Sequence, residues 1–173
     1  MTLIDLSQPI TNGMSVHPGD PEVRISVEHS YGSHGWLLRR VNFGSHTGTH
    51  VDALSHMDPD GETLSQLPLH RFIGPAAVTE TGEEHPSWVG LLFVDPVGLA
   101  ELEAILHAEP LFVGGALEER LERELLQRGI VTYTGLVNLE QLPRDRSFTF
   151  VGFPLPIADG DGSPVRAVAM VEE

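Results

Sequence analysis

Alternating and continuous apolar stretches along the chain predict many short strands and few helices. Val23, Ile25 and Val27 alternate with polar residues, which is typical of a half-buried strand. Residues 36–43 then predict the second strand of a hairpin. Residues 91–94 form a continuous apolar run, which indicates a strand buried on both faces. Further strands are predicted at residues 3–6, 76–78, 111–113, 130–133, 148–153 and 165–171.

Two helices with apolar stripes are predicted in the second half of the chain. The first begins with Asp95 as its N-cap and Pro96 at the first helical position. The second covers residues 117–128, ends at Gly129, and presents its charged residues, Glu122 among them, as a solvated face. We therefore expect an α/β fold with mixed sheets and two main helices, in a single domain that covers residues 1–173.

Composition limits the classes of function that the chain can serve. The 173 residues include 25 acidic and 10 basic side chains, which gives a formal charge of −15. Such a field repels phosphate backbones, so no nucleic-acid partner is expected. The chain has neither cysteine nor lysine, which excludes disulfides, thiolate nucleophiles and Schiff-base chemistry.

The sequence contains no stretch that predicts membrane insertion or export. No segment approaches the roughly 20 apolar residues that span a bilayer. The first residues, 1–5, lack the basic region and the long apolar run of a signal peptide. We therefore expect a cytoplasmic protein without a membrane partner.

Candidate metal ligands are concentrated in one short stretch in the first third of the chain. They are His46, His50, Asp52 and His56. Imidazole nitrogens and a carboxylate are the donors that suit zinc, manganese or iron. In a straight strand, residues four apart would lie roughly 13 Å from each other, too far to share one ion. We therefore predict a tight turn at Gly48, followed by a helical turn that brings Asp52 and His56 to one side.

The same stretch carries a family resemblance. The order His-x-Gly-Thr-His-x-Asp-x-x-x-His, at residues 46–56, resembles the signature of the metal-dependent cyclase family, which includes bacterial kynurenine formamidases and isatin hydrolases. The resemblance extends to residues 5–7, 13–14 and 18–20 near one end and to residues 161–167 near the other. It covers both ends of the chain well and the middle poorly.

The resemblance implies the swivelling β/β/α fold and a hydrolase of an amide, cyclic imide or lactam C–N bond in a small-molecule substrate. His46, His50 and Asp52 would hold one divalent ion, zinc or manganese, which activates a water molecule. His56 would be the catalytic general base that takes the proton of this water and passes it to the leaving nitrogen.

The resemblance also suggests a substrate contact and an oligomer. His17 lies where the formamidases commonly carry an aromatic residue that packs on the substrate. Contact with the substrate is one interpretation of His17, and a solvated loop histidine is the other. Family members pair through their N-terminal region, which implies a homodimer or a homotetramer.

The chain departs from the family at the second metal site of the two-zinc formamidases. In an ungapped alignment, the position of their bridging glutamate falls on Thr134 and that of their second-site histidine falls on Glu122. A neutral hydroxyl is a poor ligand beside a carboxylate, so we expect one ion per chain, with Glu122 as the remaining candidate to reach it. The middle of the chain is also shorter than in typical members.

Two other interpretations of the histidine cluster stay open. A catalytically decayed metal- or small-molecule-binding protein of the same fold accounts for Thr134, but it leaves His56 without a role. A purely structural metal site would be closed and four-coordinate, with no position for water. Elsewhere, His85 is expected to be solvated in an exposed acidic loop.

Overall fold

In residues 1–172, which the computed structural model describes, all named strands belong to a nine-stranded sheet or a two-stranded sheet. The strands are β1 Thr2–Asp5, β2 Arg24–His29, β3 Leu38–Asn42, β4 His50–Asp52, β5 Ile73–Thr79, β6 Gly90–Val97, β7 Val113–Leu117, β8 Thr132–Thr134, β9 Phe148–Val151, β10 Gly162–Pro164 and β11 Val168–Val171. The α-helices are α1 Tyr31–His34, α2 Leu102–His107 and α3 Glu119–Gln127. No helix among these residues is long and apolar enough to cross a bilayer.

The large sheet is parallel in its centre and antiparallel at both flanks. Its strand order is β1-β11-β9-β5-β6-β7-β8-β4-β10. Strands β5, β6, β7 and β8 run parallel to one another, whereas the pairs on either side of them are antiparallel. Strand β4, which carries His50 and Asp52, therefore lies between β8 and β10 near one end of the sheet. The predicted α/β class with a mixed sheet is confirmed.

Two apolar cores lie against the sheet because its central strands alternate their side chains between the two faces. In β6, Leu91 and Phe93 belong to one core and Leu92 belongs to the other. Helices α2 and α3 cover the first core through Ile105 and Leu121. The second core contains packed aromatic rings, those of Phe112, Tyr133 and Phe150. The continuous apolar run thus forms a strand buried on both faces, as predicted.

The first main helix begins later than the sequence indicates. Asp95 and Pro96 do not cap a helix but continue β6, in which Val97 still pairs with Leu117 of β7. The register shifts between Phe93 and Val97, and such a bulge accommodates a proline that cannot donate to the ladder. The predicted helix start at Asp95 is wrong because pairing with β7 outweighs the local capping preference.

The boundary between β7 and the second main helix also differs from the prediction. β7 continues beyond the predicted strand at residues 111–113, because Gly114 and Gly115 still pair with β6. Leu117 is therefore the last residue of a strand, and α3 begins at Glu119.

Strands β2 and β3 form the predicted hairpin, which is exposed along most of its length. Val23, just before β2, is buried as predicted, but Val27 is exposed, so the prediction of a half-buried strand is only partly correct. Near the turn, the Trp36 indole N–H donates to His29 Nδ1 at 2.9 Å. The hairpin presents large apolar side chains to solvent, namely Val27, Tyr31, Trp36, Leu37, Leu38 and Val41.

His85 is buried rather than solvated. Its ring packs edge-on against Phe93, with Nδ1 2.7 Å from Thr79 Oγ1 and Nε2 3.0 Å from Glu101 Oε1. The prediction of a solvated His85 is wrong, because the loop that carries it packs against the sheet and both ring nitrogens find polar partners there.

Candidate metal centre

The turn at Gly48 and the strand that follows bring the candidate ligands together. Gly48 has a φ of +63°, a left-handed conformation that glycine adopts without strain, so the predicted turn is confirmed. Strand β4 follows, and its alternation directs His50 and Asp52 to one face and Val51 into the core. A 3-10 turn, Leu54–His56, then places His56 on the same side.

A carboxylate oxygen of Asp52 is the point at which two histidines meet. Asp52 Oδ1 lies 2.6 Å from His46 Nδ1 and 3.4 Å from His50 Nε2. The rings of His46 and His56 pack together with their centroids 3.9 Å apart. His46, Asp52 and His56 each offer one ligand atom, and these atoms lie within 4.8 Å of one another. The structure therefore brings all four predicted residues together.

His50 is held in one orientation by its neighbours. Its Nδ1–H donates to the Gly48 carbonyl at 2.8 Å, which leaves Nε2 with its lone pair. That nitrogen faces Asp52 and the Thr134 hydroxyl, which donates to it at 2.7 Å. The turn residue Gly48 therefore both reverses the chain and orients a candidate ligand.

Asp161 joins the cluster from the turn before β10. Its Oδ2 accepts a hydrogen bond from His46 Nε2 at 2.9 Å and lies 3.7 Å from His56 Nδ1. No role was predicted for Asp161 from the sequence, although it begins the stretch 161–167 that shares in the family resemblance. That resemblance is the signal by which this functional candidate could have been found.

Gly162 lets the same turn approach the ring of His46. Strand β10 pairs antiparallel with β4, and Gly162 lies opposite Asp52 in that ladder. A Cβ added at Gly162 would lie 2.4 Å from His46 Cε1, which is closer than two unbonded carbon atoms can approach. His46 therefore packs where only glycine leaves room, and any larger residue would displace the ring.

Thr134 and Glu122, which fall at the second-metal positions of the formamidases, lie in the same cluster. In the β4–β8 ladder, His50 lies opposite Thr134 and Asp52 lies opposite Thr132. Thr132 Oγ1 lies 3.1 Å from Asp52 Oδ2 and 3.0 Å from Glu122 Oε1. The predicted solvated position of Glu122 is wrong, because α3 turns this residue towards β8 and half-buries it there.

The crowded acidic groups change the proton affinities of the site. Burial lowers the pKa of His46, but hydrogen bonds with Asp52 and Asp161 outweigh it and raise that pKa to about 9. Burial also raises the pKa of Glu122, and with the neighbouring charge of Asp52 brings it to about 8. Burial, followed by the charge of His46, lowers the pKa of His56. His46 thus carries a proton, and His56 is neutral near pH 7.

This donor set fits a divalent cation. In the metal-free protein, the proton on His46 supplies positive charge between Asp52 and Asp161. A cation bound to His46, His50 and Asp52 would supply that charge instead, through two imidazole nitrogens and a carboxylate oxygen. Such a mixture of nitrogen and oxygen ligands suits zinc or manganese.

The cluster opens into a cavity of about 550 Å³. This volume lies within the range of about 300–1,000 Å³ that is typical of small-molecule sites. His17 and Asp20, from the loop before β2, belong to the cavity wall together with the four clustered residues, and Met57 and Leu117 add apolar surface. The predicted substrate contact His17 is thus brought to the same cavity as the candidate ligands.

Comparison by sequence finds related proteins along nearly the whole chain. The sequence model of the Cyclase family, described as "Putative cyclase", matches residues 4–110. The kynurenine formamidase of Salinibacter ruber is 32% identical, and the alignment covers 97% of each chain. That of Bacillus cytotoxicus is 27% identical over 95% of each chain. The Salinibacter alignment runs over 216 residues, more than the 173 of this chain, so their difference in length falls inside the aligned region.

Comparison by structure finds the same fold in solved proteins. Isatin hydrolase A from Ralstonia solanacearum superposes with a TM-score of 0.83 at 19% identity, covering 99% of this chain and 92% of the other. Isatin hydrolase A from Labrenzia aggregata, bound to benzyl benzoate, superposes with a TM-score of 0.83 at 21% identity, and the match covers 99% of this chain and 94% of the other. At these identities the likeness concerns the fold, and it supports the predicted fold class.

We predict that the metal-free protein loses stability as the pH rises from 6 to 9. The pKa of His46 is raised from 6.5 to about 9 in the folded protein. Its contribution to the free energy of unfolding is therefore complete below pH 6.5 and is lost as the pH rises through 9. Glu122, raised from 4.5 to about 8, acts in the same direction. In urea unfolding of the chelator-stripped protein, the free energy of unfolding should fall by on the order of 3 kcal/mol through the titration of His46.

The exposed His70 provides the control for this measurement. His70→Gln should leave the decline between pH 6 and 9 unchanged, because His70 lies outside the cluster. A stability that stays level or increases over this range would contradict the raised pKa of His46.

Proposed function

The chain belongs to the Cyclase family, and we propose that it is a metal-dependent hydrolase of an amide C–N bond. The observation that carries the proposal is the convergence of His46 and His50 on one carboxylate oxygen of Asp52, on the wall of a cavity of about 550 Å³. Its sequence relatives are named kynurenine formamidases and its structural neighbours isatin hydrolases, which supports the same class of reaction.

His46, His50 and Asp52 are the proposed ligands of one zinc or manganese ion. When bound, the ion supplies a Lewis acid that lowers the pKa of water towards about 7 and polarises a carbonyl group. His50 is prepared for ligation because the Gly48 carbonyl accepts its Nδ1–H, which leaves the lone pair on Nε2, 3.4 Å from Asp52 Oδ1. A bound ion would replace the Thr134 hydroxyl as the partner of this nitrogen. The ionised Asp52 contributes the negative charge that such a site requires.

His56 is the proposed general base. Its lowered pKa leaves the ring neutral near pH 7, as a proton acceptor has to be. It packs against His46 and belongs to the cavity wall, so it can reach a water molecule and a substrate bound there. His56 would take a proton from the attacking water and return it to the leaving nitrogen, which balances the hydrolysis.

The substrate is proposed to be a small amide, cyclic imide or lactam. The size of the cavity supports a small molecule, and His17 on its wall supports a stacking or hydrogen-bonding contact with it. Elemental analysis of the purified protein, followed by hydrolysis assays with the metals found, tests this proposal. N-formylkynurenine, isatin and simple cyclic imides are the first substrates to assay.

A metal- or small-molecule-binding protein without catalysis is the second candidate function. The observation in its favour is Thr134, which offers His50 Nε2 a neutral hydroxyl at 2.7 Å where the formamidases are expected to carry a carboxylate. Ligand binding without turnover of any substrate in the assay would support this second function. The neutral His56 beside the candidate ligands supports the hydrolase instead.

We predict that His56→Ala retains the fold and the bound metal but loses about 10²–10⁴ in kcat, the usual contribution of a general base. Circular dichroism, metal content and steady-state kinetics on a confirmed substrate measure the three quantities. His70→Ala removes an exposed histidine and serves as the control. Loss of the metal from His56→Ala would reassign His56 as a ligand, and an unchanged kcat would remove it from the mechanism.

We predict one tightly bound ion per chain. Two dications a few ångströms apart repel strongly unless carboxylates bridge them. Here Asp52 is the ionised carboxylate among the candidate ligands, and the ionised Asp161 lies on the opposite side of the His46 ring. Thr134 carries no charge, and the pKa of about 8 leaves Glu122 largely neutral at pH 7. Calorimetric titration of chelator-stripped protein with Zn²⁺ should give one equivalent.

Three variants sharpen this measurement. Thr134→Glu should create a second site, whereas Thr134→Gln, which is similar in size but uncharged, should not. Glu122→Gln should have little effect on the first ion. Two equivalents of comparable affinity in the unmodified protein would contradict the prediction of one ion.

We predict association into at least a dimer through the β2–β3 hairpin, whose apolar side chains are exposed. Light scattering should give a mass above 18.9 kDa, that of one chain, and a homotetramer would also agree. Val41→Glu should weaken the association, whereas Leu69→Glu, at an exposed position outside the hairpin, should not. A monomer at micromolar concentration contradicts this proposal.

The cytoplasmic location stays a prediction.

A further inference from the structure

His46 lies between two carboxylates that face opposite nitrogens of its ring. Asp52 Oδ1 is 2.6 Å from Nδ1, and Asp161 Oδ2 is 2.9 Å from Nε2. A ring nitrogen binds a cation through its lone pair, so one of the two N–H groups is lost when His46 becomes a ligand. The two carboxylates therefore take different roles in the metal-bound protein.

The surroundings distinguish the two sides of the ring. On the Nδ1 side, Asp52 is 1% exposed, and its Oδ1 also lies 3.4 Å from the His50 Nε2 lone pair. On the Nε2 side, the Asp161 side chain is 48% exposed and its carboxylate faces His46 and His56. The donor atoms of the proposed ligands therefore converge on the Nδ1 side.

On the basis of the proposed function, we infer that Asp161 is a positioning residue of the metal centre. It accepts the Nε2–H of His46, so that the Nδ1 lone pair is directed to the cation beside Asp52. The arrangement has a parallel at His50, where the Gly48 carbonyl accepts Nδ1–H and Nε2 keeps its lone pair. Histidine ligands generally donate their second N–H to a carboxylate or carbonyl in this way.

Asp161 is itself fixed by the strand that carries Asp52. The Ala53 N–H donates to the Asp161 carbonyl at 2.9 Å, and the next residue, Gly162, lies opposite Asp52 in the β4–β10 ladder. Strand pairing therefore sets the backbone position of Asp161 relative to His46, and the hydrogen bond with His46 Nε2 holds the half-exposed carboxylate. Such preorganisation is what an orienting residue requires.

The same carboxylate also faces the proposed base. Asp161 Oδ2 lies 3.7 Å from His56 Nδ1, beyond hydrogen-bond distance, so it acts on this ring through its negative charge, which favours a proton on the nearer nitrogen. One oxygen atom thus hydrogen-bonds to a proposed ligand and places a negative charge next to the proposed base. Removing it should reduce kcat in addition to metal affinity.

Titration of the full chelator-stripped chain with Zn²⁺ and with Mn²⁺ tests the inference. Asp161→Ala should raise the Kd by about 10–100-fold, the usual effect of losing such a partner. Asp161→Asn keeps an acceptor oxygen without the charge, so it should raise the Kd less. The matched control is Asp159→Asn, which removes the same charge from a nearby side chain that hydrogen-bonds to none of the described histidines. Equal Kd values for Asp161→Ala and Asp159→Asn would overturn the inference.

A second measurement reports on the ring nitrogens directly. Long-range ¹H–¹⁵N correlation spectra of the zinc-loaded protein should show His46 with zinc on Nδ1 and the proton on Nε2. Zinc on Nε2 would overturn the inference even if the affinity falls in the variants. A wild-type chain that binds neither ion overturns both this inference and the proposed function. Binding that is equal in the wild type and in Asp161→Ala overturns this inference alone.

Discussion

The pairing of β4 with β8 on one side and β10 on the other is the constraint on which the candidate metal centre depends. The two ladders set Asp52 opposite both Thr132 and Gly162. Residues that are far apart in the chain thereby meet at one carboxylate. A shift of β4 by one residue would turn Asp52 away from the cavity and bring Val51 out of the core, because successive side chains of a strand point to opposite faces.

Negative charge around the buried Asp52 then determines what this arrangement can bind. A buried carboxylate is costly unless it is paired or hydrogen-bonded, and here His46 and Thr132 are its partners. With the carboxylate of Asp161 also close, the site favours positive charge, which the metal-free protein obtains by keeping a proton on His46. A cation and this proton compete for the same place, so metal binding is linked to pH and to folding.

Periodicity predicted the α/β class and most of the strands, and its errors have physical causes. At Asp95 and Pro96, a helix cap is worth about 1 kcal/mol, less than the strand pairing and the burial of Val97 gained by continuing β6. His85 was predicted to be solvated because its neighbours in sequence are polar. Its actual partners, Thr79 and Glu101, become neighbours only when the loop packs against the sheet.

The candidate site likewise divides into features that local sequence determines and features that only the folded chain determines. The sequence by itself determined the donor types and the turn at Gly48, because both depend on residues within eleven positions of one another. Only the tertiary structure decided that Glu122 and Asp161 belong to the cluster. Their contacts depend on the register of β4 with strands 80 or more residues away in the chain, and on the direction in which α3 faces the sheet. Local periodicity carries no information about either.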